Sequence, residues 1–309
     1  MISPQQMSRI GSGTWGSGGV AGKDNSSDEG KQVDALAYMI SKGMNFVEAN
    51  IWYSQGYSVE ILAKALKRSG KKREDLFICQ AIYIKDNKTL EDTNNELNRV
   101  FELFETDYVD TLQFSQGSFL RISFEDIANW IDERLSNQKT RYTSITNANL
   151  ELLQQYHSRF KDKLFSHEVV FNFEIRINED LGIIPYGIKN DIKTVVYQPL
   201  RRNRTANYNW EPLVKLASKY NKTQNQIILN WIISKGYLPL TKSENTSHID
   251  EHLAALEFTM NDDDLDLLNN FKIPNFRQPE IDWNKSGVGV TIDQISNIFD
   301  REYLKQNNK

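Results

Sequence analysis

A carboxylate and a phenol stand five residues apart near the end of an apolar stretch, at Glu48 and Tyr53 in the segment MNFVEANIWY. Both groups exchange protons with a substrate when their pKa values lie near the working pH. Burial raises the pKa of a carboxyl group and makes it a candidate general acid or base. The alternative is a structural role, in which Glu48 hydrogen-bonds to neighbours such as Tyr53, Gln80 or Gln113. The sequence leaves both roles open.

The surrounding pattern indicates which elements position this strand end. Short apolar runs alternate with helical patterns along most of the chain, and we count eight strands, beginning with RIGSGTW and MNFVEA. Strands that alternate with helices form parallel sheets, and near-continuous apolar runs are typical of strands covered on both faces. Eight such units in about 270 residues predict an α/β fold, a single-domain (β/α)8 TIM barrel whose chemistry lies at the carboxyl ends of the strands.

The sequence also predicts boundaries within this fold. We place the barrel in residues 1–275 and expect residues 276–309 to form a C-terminal covering tail that packs on or near it. The helix SVEILAKALKRSG is expected to begin at the N-cap Ser58 and to end at Gly70. GSGTWG at 11–16 has the spacing of dinucleotide-binding glycines, but no helix opens directly after it. We therefore predict a loop there.

Composition restricts the class of protein. The 309 residues carry 37 Lys and Arg against 41 Asp and Glu, and a net charge of −4 without a basic block argues against a nucleic-acid partner. The single cysteine, Cys79, excludes an internal disulfide and fits a reducing compartment. Neither an apolar signal core nor an apolar run of about 18 residues occurs. We expect a cytoplasmic protein with a small-molecule substrate and no membrane, nucleic-acid or metal partner.

Several segments, taken together, resemble the aldo-keto reductases. GTW at 13–15, GMNFVEANIWY at 43–53, TDYVDTLQF at 106–114 and TRYTSITN at 140–147 match strand ends of that family in order. VVYQPL at 195–200 and LPLTKS followed by HIDEHL continue the match, which covers residues 8–272. The resemblance implies an oxidoreductase barrel that binds NADP(H) without a separate nucleotide-binding domain.

The resemblance assigns a place to the nicotinamide end of the cofactor. Thr146 and Asn147 stand where the family holds the nicotinamide carboxamide, and Asn172 stands in place of a family Gln. Tyr197 stands where an aromatic ring stacks on the nicotinamide.

The adenosine end is assigned in the same way. Lys242 and Ser243 match the pair that binds the 2′-phosphate, and a Lys with a neighbouring hydroxyl suits a phosphate ligand. Taken alone, Lys242 would be read as a solvated surface residue. Further cofactor contacts are implied for Thr14, Pro199, Leu200, His248 and Glu251.

The residues that carry out catalysis in the family are mostly replaced. The family uses a Tyr as proton donor, a Lys held by an Asp to lower the Tyr pKa, and a His to orient the carbonyl. Tyr53 keeps the Tyr position and Glu48 takes the Asp position, whereas the Lys and His positions hold Ala81 and Ser115. Without a nearby cation the phenol is a weak acid at neutral pH, and an anionic Glu48 would weaken it further.

Few residues are available to replace the lost cation. Lys85 lies four residues beyond Ala81 with the same strand parity and is one candidate. His167 begins its strand, so we expect it at the opposite end of the barrel. The other histidines lie on a helix or in the cofactor segment, as His157, His248 and His252.

Three functions remain open from the sequence. The first is an NADP(H)-dependent oxidoreductase with altered chemistry, which requires cofactor-dependent turnover. The second is a pseudoenzyme that binds NADP(H) and reports redox state to a protein partner. The third is a lyase or isomerase that uses Glu48 and Tyr53 without hydride transfer.

Overall fold

Eight parallel strands close into a barrel in the computed structural model of the chain. The structure describes residues 1–19, 22–85, 87–273, 276, 278–281 and 283. Each strand pairs with the next, and the last pairs with the first, which confirms the predicted (β/α)8 fold. The strands are β1 (Gly11–Gly13), β2 (Phe46–Asn50), β3 (Phe77–Ile82), β4 (Val109–Ser115), β5 (Thr140–Thr146), β6 (Leu164–Val170), β7 (Lys193–Tyr197) and β8 (Leu238–Thr241).

Helices alternate with the strands and cover the outside of the barrel. Within the described residues they are α1 (Glu29–Ser41), α2 (Tyr57–Ser69), α3 (Leu90–Phe104), α4 (Gln116–Phe119), α5 (Phe124–Ser136), α6 (Leu150–Phe160), α7 (Ile177–Asp180), α8 (Ile183–Lys189), α9 (Arg204–Asn207), α10 (Glu211–Tyr220), α11 (Gln224–Ser234), α12 (Thr246–Leu253) and α13 (Asp262–Asn270). None of these helices is both long and apolar enough to cross a membrane.

The helix that follows β2 begins differently from the sequence prediction. Gly56, with φ of 92°, is the N-cap of α2, so the prediction of Ser58 as N-cap was wrong. The Ser58 hydroxyl instead donates to the carbonyls of Asn50 and Tyr53. It thereby ties the helix start to the segment that carries the phenol. Gly70, with φ of 71°, ends the helix as predicted.

Aromatic rings fill the amino-terminal end of the barrel interior. Phe46, Phe77 and Phe165 are buried, and the ring centroids of Phe77 and Phe165 lie 4.7 Å apart. Gly11 leaves the room that these rings need, because a Cβ atom there would lie 2.6 Å from the Phe46 ring. This aromatic floor fills the amino-terminal end of the barrel interior.

A buried ion cluster fixes the start of β4. The Asp110 carboxylate, with 0% exposure, accepts hydrogen bonds from Arg73, from Arg141 and from the backbone N–H of Ile78. These contacts join the starts of β3, β4 and β5. A carboxylate at this depth is stable only because both cations and an amide compensate its charge.

The first residues of the predicted tail contact loops at the carboxyl end of the barrel. The Gln278 side chain accepts from the backbone N–H of Arg176 at 2.8 Å and donates to the carbonyl of Glu174 at 2.7 Å. The carbonyl of Trp283 accepts from the Gln116 side chain at 3.3 Å. Residues 284–309, which make up most of the predicted tail, lie outside the described residues, so the tail stays a prediction.

The Asp110 cluster gives a stability prediction. Asp110→Asn keeps the shape of the side chain but leaves Arg73 buried without its counter-charge, so we expect a loss of about 3 kcal/mol in the free energy of unfolding. The matched control is Glu105→Gln, which removes the exposed Lys67–Glu105 ion pair and should cost less than about 1 kcal/mol. Urea denaturation measures both, and equal losses in the two variants would contradict the assignment.

Candidate active site

A cleft of about 1140 Å³ opens at the carboxyl ends of the strands. Its inner end lies in the barrel, and its outer end runs between the loop after β7 and the segment after β8. The lining residues of the inner end include Gly13, Glu48, Tyr53, Tyr83, Asn147, Glu168 and Tyr197. Those of the outer end include Arg201, Arg202, Thr241, Lys242, Ser243, His248 and Glu251.

Glu48 lies in the inner wall of the cleft and is 3% exposed. The carboxyl group accepts a hydrogen bond from the backbone N–H of Thr14. Two of the side chains predicted as its structural partners are engaged elsewhere, because the Gln80 amide donates to the carbonyl of Ala81 and the Gln113 amide donates to Glu168. The position fits a carboxyl group that faces a ligand better than one that is enclosed by side-chain hydrogen bonds.

A second carboxyl group, which the sequence analysis missed, faces the same space. Glu168 on β6 is 6% exposed and accepts a hydrogen bond from the Gln113 side chain at 2.9 Å. Strand alternation counted from Phe165 would have turned His167 inward. A register shift between Thr143 and Ser144 leaves Phe165 without a partner and turns Glu168 inward instead. An acidic residue directly before the apolar run at 169–171 was the available signal.

Both carboxyl groups have raised pKa values. Burial, followed by the charge of Glu168, raises the pKa of Glu48 well above its usual value. Burial also raises the pKa of Glu168 to about 7, and the hydrogen bond from Gln113 only partly offsets this effect. Like charges that share a desolvated site cannot both ionise easily. One of the two is therefore expected to be protonated near neutral pH.

The phenol of Tyr53 is subject to the same two effects, burial and carboxylate charge. Burial, followed by the charge of Glu48, raises the pKa of Tyr53 well above its usual value. The phenol of Tyr83, two residues beyond Ala81, lies beside it and has a raised pKa for the same two reasons, burial and the glutamate charges. Both phenols are therefore neutral and poor proton donors at physiological pH.

This chain has uncharged residues at the two positions where the resembled family has a lysine and a histidine. Ala81 is fully buried on β3 and pairs with Asn50 of β2 and Gln113 of β4. Ser115, at the end of β4, is 5% exposed, and its hydroxyl lies 3.3 Å from that of Ser118. Neither side chain can replace a cation or an imidazole.

The candidate replacements do not reach the site. The ammonium of Lys85 lies 3.1 Å from the centroid of the Trp52 ring, a cation–π contact, and Lys85 is not among the residues that line the cleft. His167 lies in the middle of β6, so the prediction that it begins the strand was wrong. Its Nε2 accepts from the backbone N–H of Ala148, and burial lowers its pKa to about 3. It is a neutral structural histidine.

The residues predicted at the nicotinamide end are partly brought together. Asn147 and Tyr197 line the cleft, and the Tyr197 hydroxyl donates to the Asn147 side chain. Thr146 is buried, and its hydroxyl donates to the carbonyl of Glu168. Asn172 lies outside the lining, and its side-chain oxygen accepts from the backbone N–H groups of Glu174 and Ile175. The side chain on β6 that faces the cleft is Glu168.

The residues predicted at the adenosine end lie along the outer cleft. Burial lowers the pKa of Lys242, whose ammonium lies 3.8 Å from the Glu244 carboxylate. Ser243 bonds to the backbone of Asn245, and Glu251 accepts from the hydroxyl of Thr223. His248 is exposed at the rim, Pro199 and Leu200 form part of the wall, and Thr14 is buried behind it.

These features fit a ligand that is anionic at one end and carries an amide at the other. The outer wall contains the cationic side chains of Arg202 and Lys242, and a third, Arg201, is buried and pairs with the Glu174 carboxylate at 3.6 Å. The buried hydroxyl of Thr241 also lines the cleft and has no hydrogen-bond partner within the described residues. Buried polar groups without partners are rare, so this hydroxyl is available to a bound polar group. The residues present therefore suit NADP(H).

Comparison with known proteins gives one family. The sequence model of the Aldo/keto reductase family matches residues 9–273. "Aldo-keto reductase YhdN" of Bacillus subtilis is 26% identical over 64% of this chain, and the match spans only 60% of that relative. "NADPH-dependent alpha-keto amide reductase" of Saccharomyces cerevisiae is 24% identical over 72% of this chain and 74% of the relative.

Solved structures agree with the sequence matches. A thermostable aldo-keto reductase, Tm1743, in complex with the inhibitor epalrestat superposes with a TM-score of 0.79 and 27% identity, over 85% of this chain and 94% of that chain. An aldo-keto reductase from Klebsiella pneumoniae in complex with NADPH gives a TM-score of 0.74 at 19% identity, over 85% and 90% of the two chains. At that identity the second likeness concerns the fold alone.

The buried carboxyl pair predicts how stability depends on pH. The folded-state pKa of Glu168, about 7, lies above its value in an unfolded chain, so protonation favours the folded state. This contribution is fully present below about pH 4.5 and is lost as the pH rises through about 7, with a loss of about 3 kcal/mol. Denaturant unfolding measured across this range is expected to show the decline.

Glu168→Gln removes the titration while keeping an acceptor for Gln113, so its stability should change less over the same range. Glu257→Gln, at an exposed position, should keep the wild-type profile. A wild-type stability that rises between about pH 5 and pH 8 would oppose the assignment, because it would require carboxyl groups with lowered pKa values.

Proposed function

The chain belongs to the aldo/keto reductase family, and from this premise we propose that it is an NADP(H)-binding member in which ordinary carbonyl reduction is severely weakened. We place it in the cytoplasm, with a small-molecule ligand as its partner. The proposal separates two capacities that the family combines, which are cofactor binding and proton donation by a tyrosine.

The observation that carries the proposal is the absence of a cation around Ala81 among the described residues. The family's lysine position is an alanine that is buried between β2 and β4, and the ammonium of Lys85 is stacked on Trp52. Within the described residues, Tyr53 therefore faces Glu48 and Glu168 without a balancing cation. This set of neighbours is the reverse of the one that a phenolic acid needs.

The expected consequence concerns the proton that carbonyl reduction requires. When a hydride adds to a carbonyl carbon, the carbonyl oxygen becomes an alkoxide unless an acid protonates it. Burial and the charge of Glu48 raise the pKa of Tyr53, which makes its proton harder to release. General acid catalysis contributes about 10²–10⁴-fold in rate, and the loss of an effective acid is expected to cost a similar factor.

The cofactor half of the proposal rests on the two ends of the cleft. Asn147 and Tyr197 would hold the nicotinamide, and Lys242 with Ser243 would hold the 2′-phosphate. When bound, the reduced cofactor supplies a hydride. The likeness to a Saccharomyces cerevisiae relative whose name includes "NADPH-dependent" supports NADP(H) over other cofactors.

A second candidate function is favoured by the carboxyl pair. Glu168 has a pKa of about 7 and faces the cleft with Glu48, so one carboxyl group could donate a proton while the other accepts one. A lyase or isomerase would use this pair without oxidation or reduction of the nicotinamide. Substrate turnover in the absence of NADP(H) would distinguish it from both the weakened reductase and a cofactor-binding pseudoenzyme.

Turnover tests the proposal most simply. The wild-type protein with NADPH and generic aldehydes is expected to show little or no NADPH oxidation. Ala81→Lys places a cation on β3 that can pair with Glu48 and lower the pKa of Tyr53, so we expect at least about a tenfold gain in rate. The assay follows NADPH absorbance.

The matched control is Ala81→Met, which adds comparable bulk without charge and should give no gain. A wild-type enzyme that already oxidises NADPH rapidly with such aldehydes would refute the proposed loss of carbonyl reduction.

Cofactor affinity forms a separate prediction. Lys242→Met removes a cation from the outer cleft while keeping a similar apolar stem. A charge-assisted contact with a phosphate contributes about 1.5–3 kcal/mol, so affinity for NADP⁺ should fall by at least about tenfold. Affinity for NAD⁺, which lacks the 2′-phosphate, should change by less than about threefold. Calorimetric titration measures both, and an equal fall for the two nucleotides would contradict the assigned phosphate contact.

A further inference from the structure

Two carboxyl groups meet at the end of the cleft that the proposed function assigns to the nicotinamide. Building on that proposed function, we propose that Glu48 and Glu168 make the protein bind NADP⁺ in preference to NADPH. The oxidised nicotinamide is a pyridinium ring with a positive charge, whereas the reduced ring is neutral. The two forms otherwise present the same phosphates and adenosine to the protein.

The geometry places both carboxyl groups around one space. Glu48 lies on β2 and Glu168 lies on β6, four strands away in a closed barrel of eight, so they face each other across the interior. Both side chains line the cleft, and the charge of Glu168 acts on Glu48. A cationic ring between them is attracted by the carboxylate that is ionised and favours ionisation of the second carboxyl group.

The aromatic groups at this end favour the same ligand. Tyr53, Tyr83 and Tyr197 line the inner cleft. The charge of Glu168 contributes to the raised pKa of Tyr197, so the field of this carboxylate reaches the ring on which the nicotinamide is expected to stack. The face of an aromatic ring attracts cations, which adds to the carboxylate attraction for a pyridinium.

Cationic side chains in the described part of the cleft belong to its other end. Arg201 and Arg202 follow β7, and Lys242 follows β8. Arg201 is buried and also pairs with the Glu174 carboxylate at 3.6 Å. The cleft is thus anionic at its inner end and cationic at its outer end. Oxidised NADP⁺ has the complementary arrangement, with a positive ring at one end and phosphates at the other. The reduced cofactor matches only the outer end.

The preference is expected to depend on the protonation of the carboxyl pair. The groups that face Glu168 are Gln113 from β4, Glu48 from β2, Cys79 from β3, and the phenols of Tyr53, Tyr83 and Tyr197. The thiol and the phenols all have raised pKa values, so they stay neutral around neutral pH. Glu168, with a pKa of about 7, is ionised above that pH and protonated below it. Selection for the pyridinium is therefore present at higher pH and is lost as the pH falls.

Calorimetric titration of the full chain with NADP⁺ and with NADPH tests the inference. At about pH 8.5 we expect NADP⁺ to bind at least about fivefold more tightly than NADPH, and at about pH 6 the ratio should fall below about threefold. The ratio cancels the titration of the 2′-phosphate, which both nucleotides carry. A ratio below about fivefold at the higher pH, or one that is the same at both, overturns the inference.

Two test variants, one control variant and one control ligand complete the experiment. Glu168→Gln and Glu48→Gln should each reduce the ratio at the higher pH, whereas Glu257→Gln at an exposed position should leave it unchanged. The affinity for 2′-phospho-ADP-ribose, which lacks the nicotinamide, should be the same in the wild type and in all variants. If Glu168→Gln does not fold, the pH comparison and the Glu48→Gln variant still test whether the carboxyl groups cause the preference for NADP⁺.

Failure of the inference is distinguishable from failure of the proposed function. If both nucleotides bind without preference for the oxidised form, the inference is wrong and the NADP(H) assignment stands. If neither nucleotide nor 2′-phospho-ADP-ribose binds, the NADP(H) assignment is wrong, and the inference is overturned with it.

Discussion

The rest of the site depends on one constraint. Two carboxyl groups are buried in the barrel interior, and no lysine or arginine in the described part of the chain pairs with them. Elsewhere in the same barrel, Asp110 is buried with two arginines and a backbone amide, which is the usual compensation. Among the residues that the structure describes, Glu48 and Glu168 have hydrogen bonds from Thr14 and Gln113 but no such counter-charge. Proton uptake therefore takes the place of ion pairing.

The barrel makes this arrangement possible by fixing the depth of each group. The aromatic floor of Phe46, Phe77 and Phe165 fills the amino-terminal end of the interior. The carboxyl groups lie above that floor and line the inner end of the cleft, where desolvation is strong and a ligand still has access. The same burial raises the pKa of Tyr53, so the weakness of this phenol as an acid and the proton uptake by the carboxyl pair have one physical cause, which is desolvation.

Much of this architecture could be predicted from the sequence, because alternating strand and helix patterns depend on local residues. The closed barrel, the helix end at Gly70 and the cleft positions of Glu48 and Tyr53 follow from such patterns. Glu168 could not be placed, since a register shift opposite Thr143 reverses which residues of β6 face inward. The prediction of Ser58 as N-cap also failed because of a contact outside the helix pattern. The Ser58 hydroxyl bonds to carbonyls of the preceding segment. The position of Lys85 depends on the packing of Trp52, which no local pattern contains.

The central claim is that the inner cleft holds uncompensated carboxyl groups, and their titration tests it most directly. Carbon-13 NMR of the glutamate side-chain carboxyl groups, with Glu48→Gln and Glu168→Gln used for assignment, reports each group separately. The account predicts that Glu168 titrates near pH 7 and that Glu48 titrates well above the usual range for a glutamate. If both carboxyl groups titrate below about pH 5, as ion-paired or solvated glutamates do, the account is wrong.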